Sequence, residues 1–231
     1  VNDAAPDPRD HEIAQRCCEE STRFHEIVLP VNGYLANARN VGIAAARGRY
    51  IFPLDADDMM APNTLSTLSG VLDGIPGLHI AYGNVRFVEP DGVTPKVYAN
   101  GSRALPPGHS GWPIQFNLEW MLQGPGQLLP YASMYRRTVW EQTGGYRTRS
   151  RSSEDQDFWL RATSYGFTAS MVTQADTLIY RVRPDSMSSA GGVGWEEHRP
   201  WFPWAGLGGD RSLIPAGAIQ ESKPVEAMPL P

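Results

Sequence analysis

The stretch "GRYIFPLDADDMMAP", residues 48–62, decides how the rest of the chain is read. Tyr50, Ile51, Phe52, Pro53 and Leu54 suit a buried β-strand, and they run straight into Asp55, Asp57 and Asp58. Three carboxylates at the end of a core strand repel one another, a cost that a positive partner has to offset. In open α/β sheets ligands bind beyond the carboxyl ends of the strands, which is where this trio falls. Oxygen donors on a short, stiff spacing suit a hard cation, Mg2+ or Mn2+, shared with substrate phosphates rather than caged by protein. Residues i and i+2 of an extended segment point the same way, so Asp55 and Asp57 are expected to face one ligand. The alternative is a solvated turn capping the next helix. The core strand before the trio, and the helix expected to start around "MMAP" after it, favour the ligand.

Around this stretch lies a chain of 231 residues, enough for one large domain or one domain with an appendage. Apolar content of 41% is ordinary for a soluble globular protein. No run approaches the roughly 18 apolar residues of a membrane span, and no signal-peptide pattern opens the chain. A net charge of −5 argues against a general nucleic-acid binder, which needs a clustered basic surface. The only lysines are Lys96 and Lys223, so positive charge is carried almost entirely by arginine. Cys17 and Cys18 are neighbours, which rarely bridge each other, and no Cys or His follows them at zinc-like spacing. A reducing, cytoplasmic setting is expected.

Along the chain, "RDHEIAQRCCEE" (9–20) reads as a helix and "FHEIVLP" (24–30) as a short strand. "LANARNVGIAAARG" (35–48) reads as a helix stopped by Gly48, and the opening strand covers about 49–54. "PNTLSTLSGVL" (62–72) is a helix with Pro62 in its first turn and Leu65, Leu68 and Leu72 on one face. Residues 79–98 alternate as two strands around the turn signal "PDG". A helix at 113–123, a strand at 128–137, a short helix at 137–146 closed by Gly144-Gly145, a helix at 153–167 and a strand at 177–183 follow. From Ala190 onward glycine, proline and tryptophan dominate. Strands alternating with helices over residues 1–83 predict an α/β fold with a mostly parallel central sheet flanked by helices. "VNDAAPD" opens like the end of a strand with no strand before it. An earlier strand–helix unit, on the order of 30 residues, is therefore expected ahead of Val1.

A second acidic constellation is "SSEDQDFWLR". Ser153 with Gln156 matches a capping box, which puts Glu154 and Asp155 in the first helical turn ahead of an apolar face of Phe158, Ala162 and Tyr165. The helix dipole alone favours acids there, yet a carboxylate fixed at a helix start is also a candidate general base for a substrate hydroxyl. Arg136 and Arg137 end one strand, Arg181 and Arg183 another. Guanidinium groups at strand ends either clamp a diphosphate or lie solvated on the surface. Trp195, Trp201 and Trp204 offer a sugar-stacking wall, a membrane-interface belt or simple packing.

Taken together, "LANARNVGIAAARGRYIFPLDADDMMAPNTL", "SMYRRTVWEQTGGY" and "SEDQDFWLRATSYG" resemble the family 2 glycosyltransferases, over roughly residues 1–188. The resemblance implies a GT-A fold of the nucleotide-diphospho-sugar transferase kind, with residues 189–231 as a C-terminal extension. It implies a nucleotide-diphosphate sugar donor, a UDP-sugar first among the choices, and a divalent cation, Mn2+ or Mg2+, on its diphosphate. It also implies an acceptor hydroxyl on a glycan, lipid-linked or protein acceptor, attacking with inversion. Carried over by motif, Asp57 is the main metal ligand, and Asp55 touches the ribose or the same metal. Asp3 in "VNDAAPD" lies by the nucleotide base, and Arg39 in "NARNVGI" lines the nucleotide pocket. Asp155 is the base, with Glu154 near the acceptor. Arg183 stands in "IYRVRPDSMS" where many relatives place a histidine; it cannot ligate a cation but can neutralise the leaving diphosphate. Acceptor choice is expected around Trp112–Gln127, with Trp112 among the substrate-binding residues. A lipid-linked acceptor would bring the protein to the inner face of a membrane as a peripheral partner.

Two other readings share these residues. An aspartate-nucleophile phosphohydrolase also begins with a core strand ending in D-x-D, but it wants Thr or Val where this chain has Met59, and a lysine near the phosphate. A non-catalytic sugar- or nucleotide-binding module derived from a transferase would keep the acidic motifs without turnover. No G-x-S-x-G elbow supports a serine hydrolase.

Overall fold

The opening strand is shorter than its hydrophobic run. β1 is Tyr50–Ile51, after which the backbone leaves the sheet on its way to Asp55. A computed structural model of the chain describes residues 1–96, 129–148 and 154–184. In it β1, β2 (Met59–Met60), β3 (Ile80–Val88), β4 (Met134–Arg136) and β5 (Ala169–Arg181) form one sheet in the order β1-β4-β3-β5-β2. β3 and β5, the two long strands, pair in parallel, while the β1–β4, β3–β4 and β2–β5 pairs are antiparallel. So β1, β3 and β5 run one way and the short β4 and β2 run the other. The expected α/β fold is present, with a mixed sheet whose main direction is parallel.

Helices cover both faces. α1 (Pro8–Glu20), α2 (Tyr34–Ala45), α3 (Thr64–Gly74), α4 (Arg137–Thr143) and α5 (Glu154–Ser164) fall close to the helices predicted from sequence. Strand residues alternate between two cores, as a period of two requires. Ile80, Tyr82 and Tyr135 join Phe158 and Trp159 of α5 with Ala36 and Ile43 of α2. Ala81 and Met134 point the other way, against Leu68 and Leu72 of α3. Each fully buried aromatic here contributes a few kcal/mol of apolar burial, and Phe158, Trp159, Tyr82 and Tyr135 are all inaccessible. The β3–β5 ladder slips between Tyr82 and Asn84, at Gly83. A Cβ at Gly83 would stand 2.5 Å from Thr177 Cγ2 and 2.6 Å from Thr173 Cγ2, so only glycine lets the two strands approach there.

Several expectations are corrected. Met59–Met60 is not the start of a helix; it is a strand whose residues sit opposite Ile179 and Leu178. α3 begins later, at Thr64, whose hydroxyl donates to the carbonyls of Ala61 and Thr177. Leu68 and Leu72 are buried, but Leu65 is exposed. Of the strand expected at 24–30 a single parallel bridge remains, between Asn2 and Val28. Tyr165 lies outside the apolar face of α5, at 66% exposure. The turn at "PDG" forms as read, with Asp91 accepting the backbone N–H groups of Val93 and Thr94 and Gly92 at φ +77°, but of the second strand expected after it only an antiparallel Val88–Pro95 bridge is present among the described residues.

Arg136 and Arg137 are not a diphosphate clamp. β4 is antiparallel to β1, so Arg136 lies opposite Tyr50, at the end of the sheet away from Asp55. Its guanidinium donates to the carbonyls of Leu72, Ile75 and Leu78, closing the C-terminus of α3. Arg137 donates to Ala46 O at the end of α2 and to Glu141. The helix expected at 113–123, Trp112, Ser153 of the capping box, the tail tryptophans and the extension 189–231 lie outside the described residues.

Candidate functional site

The three aspartates after Leu54 do not share one role. Asp58 N–H donates to Asp55 O at 3.1 Å, so residues 55–58 make a tight turn rather than an extended segment. Asp58 points inward and is only 9% exposed. One of its oxygens accepts from Tyr131 OH at 2.6 Å, the other from Arg181 N–H at 2.8 Å. Burial, set against these two hydrogen bonds, pushes its carboxyl up to about 6. Asp58 is thus a strut that ties the turn to the end of β5 and not a free ligand of a cation, a correction to the acidic trio. The turn keeps the Asp55 and Asp57 carboxylates close enough to repel one another.

Asp55 meets Arg39, from the middle of α2. Arg39 Nη2 donates to Asp55 Oδ1 at 2.8 Å and Oδ2 at 3.1 Å, and Nη1 donates to Glu154 Oε1 at 2.6 Å. The guanidinium is almost wholly buried, with 8% of its side chain exposed. It lies over the rings of Tyr131 and Tyr146, 5.1 and 5.5 Å from their centroids. Burial works against its charge, but the surrounding carboxylates Asp55, Glu154 and Asp155 hold it firmly protonated. Burial likewise raises the carboxyls of Asp55 and Glu154, Asp155 adds to both rises by like-charge repulsion, and the Arg39 guanidinium opposes them.

α5 starts beside this arginine. Asp155, the second residue of the helix, is partly exposed, and its side chain accepts the Gln156 N–H at 2.8 Å. The neighbouring acids therefore split: Glu154 turns inward to Arg39, while Asp155 stays at the surface of the same site. Arg183, just beyond β5, approaches Asp57 with Nε 3.7 Å from Oδ2, both side chains being partly exposed. Arg183 thus lies with the acidic turn, whereas Arg181 reaches it only through its backbone N–H and carries its guanidinium to Gly92 of the "PDG" turn. Asp3 accepts the Gly33 N–H at 2.8 Å, immediately before α2. Asp3, Arg39, Asp55, Asp57, Glu154, Asp155 and Arg183 all lie among the described residues, and Trp112 does not.

Sequence reasoning missed the tyrosines that frame the arginine. Tyr131 OH also accepts the Asp55 N–H at 3.2 Å, so one phenol holds both ends of the turn. Tyr146 is fixed by Asn40: its N–H donates to Asn40 Oδ1 at 2.9 Å and its carbonyl accepts from Asn40 Nδ2 at 2.7 Å. Gly145, at φ +75°, makes that approach possible, since a Cβ there would lie 2.7 Å from Asn40 Oδ1. The only signal in the sequence was the "GGY" stop, which reads locally as a helix end.

Among the described residues no group of three or more His, Cys, Asp or Glu is arranged to hold a metal ion by itself. The donor set at the turn is oxygen only, and Asp57 is its outward-facing member. That suits a hard cation that takes most of its ligands from substrate phosphates. The phosphohydrolase reading loses support here: both oxygens of Asp55 lie on Arg39, Met59 pairs within the sheet, and Lys96 is bound to Glu89 at 3.0 Å.

The family model for glycosyl transferase family 2 matches residues 1–141, more than half of the 231. The O-antigen biosynthesis protein RfbC of Myxococcus xanthus is 25% identical over 190 residues, covering 82% of this chain and 14% of RfbC. The chondroitin synthase of Pasteurella multocida (strain Pm70) is 27% identical over 140 residues, 61% of this chain and 13% of the synthase. Among solved structures, S. aureus TarS 1-349 in complex with UDP-GlcNAc superposes with a TM-score of 0.62 at 19% identity, over 81% of this chain and 50% of that one. That likeness shows the fold. The chain spans only a small part of these curated relatives and half of the TarS chain.

Proposed function

The chain belongs to glycosyl transferase family 2, and we propose that it moves a sugar from a nucleotide-diphosphate donor to an acceptor hydroxyl with inversion. The observation that carries this reading is the meeting of the Asp55–Asp58 turn and the start of α5 on one buried arginine. In this reading the partly exposed Asp57 suits a cation and the partly exposed Asp155 suits a base.

In this reading Asp57 would hold a divalent cation, Mn2+ or Mg2+, shared with the donor diphosphate, with Asp55 as the second candidate ligand. Such an ion supplies neutralisation of the charge that builds on the diphosphate as the glycosyl–oxygen bond breaks. Arg183 adds a fixed positive charge on the same side and contacts the leaving group directly. Asp155 accepts the proton of the acceptor hydroxyl as its oxygen bonds to the anomeric carbon, and the electron pair of the broken bond leaves with the diphosphate. One base is enough, because the leaving group needs no proton. Asp3, held beside the start of α2, lies on the nucleotide side. A UDP-sugar is the donor favoured by the fold's likeness to a UDP-GlcNAc complex, and the surface-polysaccharide names of the relatives favour a saccharide acceptor.

The test compares wild type with Asp155→Asn for two readings: nucleotide binding with manganese, and release of UDP from UDP-sugars. Wild type is expected to bind and turn over, and the variant to bind with turnover reduced by about 100-fold or more. Unchanged turnover in Asp155→Asn removes Asp155 from the mechanism. Binding with no turnover in wild type, across a panel of donors and saccharide acceptors, turns the assignment to a binding module.

A further inference from the structure

Arg39 does more than the donor-and-base scheme requires. Its partners come from motifs 16 and 115 residues away in sequence, and one guanidinium is shared between them. All three side chains are largely withdrawn from solvent, at 8% for Arg39, 26% for Asp55 and 7% for Glu154. Tyr131 and Tyr146 fix the plane of the guanidinium from their rings. Each tyrosine is itself pinned: Tyr131 by Asp58 and the Asp55 N–H, Tyr146 by Asn40, the residue after Arg39 on α2. Both carboxylates are paired on this one guanidinium, so a shift of one is expected to be felt by the other.

We propose that Arg39 is a positioning residue that locks the Asp55 turn and the Glu154 end of α5 into one unit, coupling nucleotide engagement at the turn to the placement of Asp155. The proposal deepens the nucleotide-sugar reading of the site and rests on it. Two assignments follow. Asp55 serves the arginine first, which leaves Asp57 as the carboxylate turned toward a cation. Glu154 is committed to the arginine, while its neighbour Asp155, partly exposed and accepting the Gln156 N–H, is the member of the pair at the surface of the site.

The coupling is read in two independent ways. First, UDP, GDP and dTDP are titrated with manganese into wild type and Glu154→Gln, a substitution that keeps shape and removes charge on the helix rather than on the turn. Nucleotide affinity is expected to fall by about fivefold or more, the usual lower range for coupled sites. A strut that merely supports the fold would lower the unfolding midpoint and leave nucleotide affinity at the wild-type value, and that result overturns the proposal. Second, Asp55→Asn and Glu154→Gln are combined and their urea midpoints compared with those of the single variants. The shifts are expected to be non-additive in the presence of Arg39 and to become additive in the Arg39→Lys background. Additive shifts with Arg39 present also overturn it, whether or not Arg39→Lys folds. If wild type binds none of the nucleotides, the donor reading fails, while the urea cycle still judges whether Arg39 couples its two partners.

Discussion

At the scale of single residues, the acidic turn separates by orientation. Asp57 faces outward, at 34% side-chain exposure, and Asp58 faces inward onto Tyr131 and the end of β5. Asp57→Ala is expected to reduce manganese-supported UDP affinity to its metal-free level, a loss of about tenfold or more by calorimetry, with the fold intact. Asp58 makes a different prediction. Its folded-state value of about 6 lies above the ordinary 3.8, so between about pH 4 and 6 the native protein holds a proton that the unfolded chain has released. Stability therefore falls as pH rises through that window, by up to about 3 kcal/mol from this group. Asp58→Asn removes the titration. In urea unfolding of metal-free protein, the gap between wild type and this variant is expected to move against wild type from pH 4 to pH 6. A gap that stays constant would mean that folding does not raise the Asp58 carboxyl above its ordinary value.

At the scale of elements, strand direction decides what the arginines do. β4 runs against β1 and β3, so Arg136 closes the C-terminus of α3 with hydrogen bonds to three carbonyls. Arg136→Met is expected to cost about 2 to 3 kcal/mol in chemical denaturation while leaving nucleotide affinity unchanged, since the site lies at the other end of the sheet. Gly145 joins α4 to Tyr146 in a left-handed conformation and packs against Asn40 and Trp140. Gly145→Ala should cost about 1 to 3 kcal/mol through strain and crowding. By displacing Tyr146 from Arg39, it should also weaken nucleotide binding. Both are measured on one preparation, by urea midpoint and by calorimetry. The "GGY" stop was legible as a helix end, but its second task, aiming an aromatic ring at a buried guanidinium, depends on Asn40 more than 100 residues earlier.

At the scale of the whole molecule, burial is uneven. α5 is buried along nearly its whole length, from Glu154 to Thr163, whereas α1 has no buried residue at all. Hydrogen exchange is expected to show α1 amides exchanging roughly 100-fold or more faster than those of α5, because opening α1 uncovers almost no apolar surface. Comparable protection in the two helices would mean that α1 is covered in solution. What nearest neighbours control was readable along the chain: the five helices of the described residues to within a few positions, the turn at "PDG", the acids placed after one strand and at the start of one helix, and the family that these motifs resemble. Hydrophobic period, caps and turn residues act over a few positions, so they can be read in one dimension. Packing between distant segments settled that β4 runs backward, that Met59–Met60 is a strand, that Asp58 turns inward, and that Arg39 holds Asp55 and Glu154 together. A strand's direction and a charge's partner are fixed by packing between distant segments. The same burial that selects the partner also sets how costly the charge is to keep.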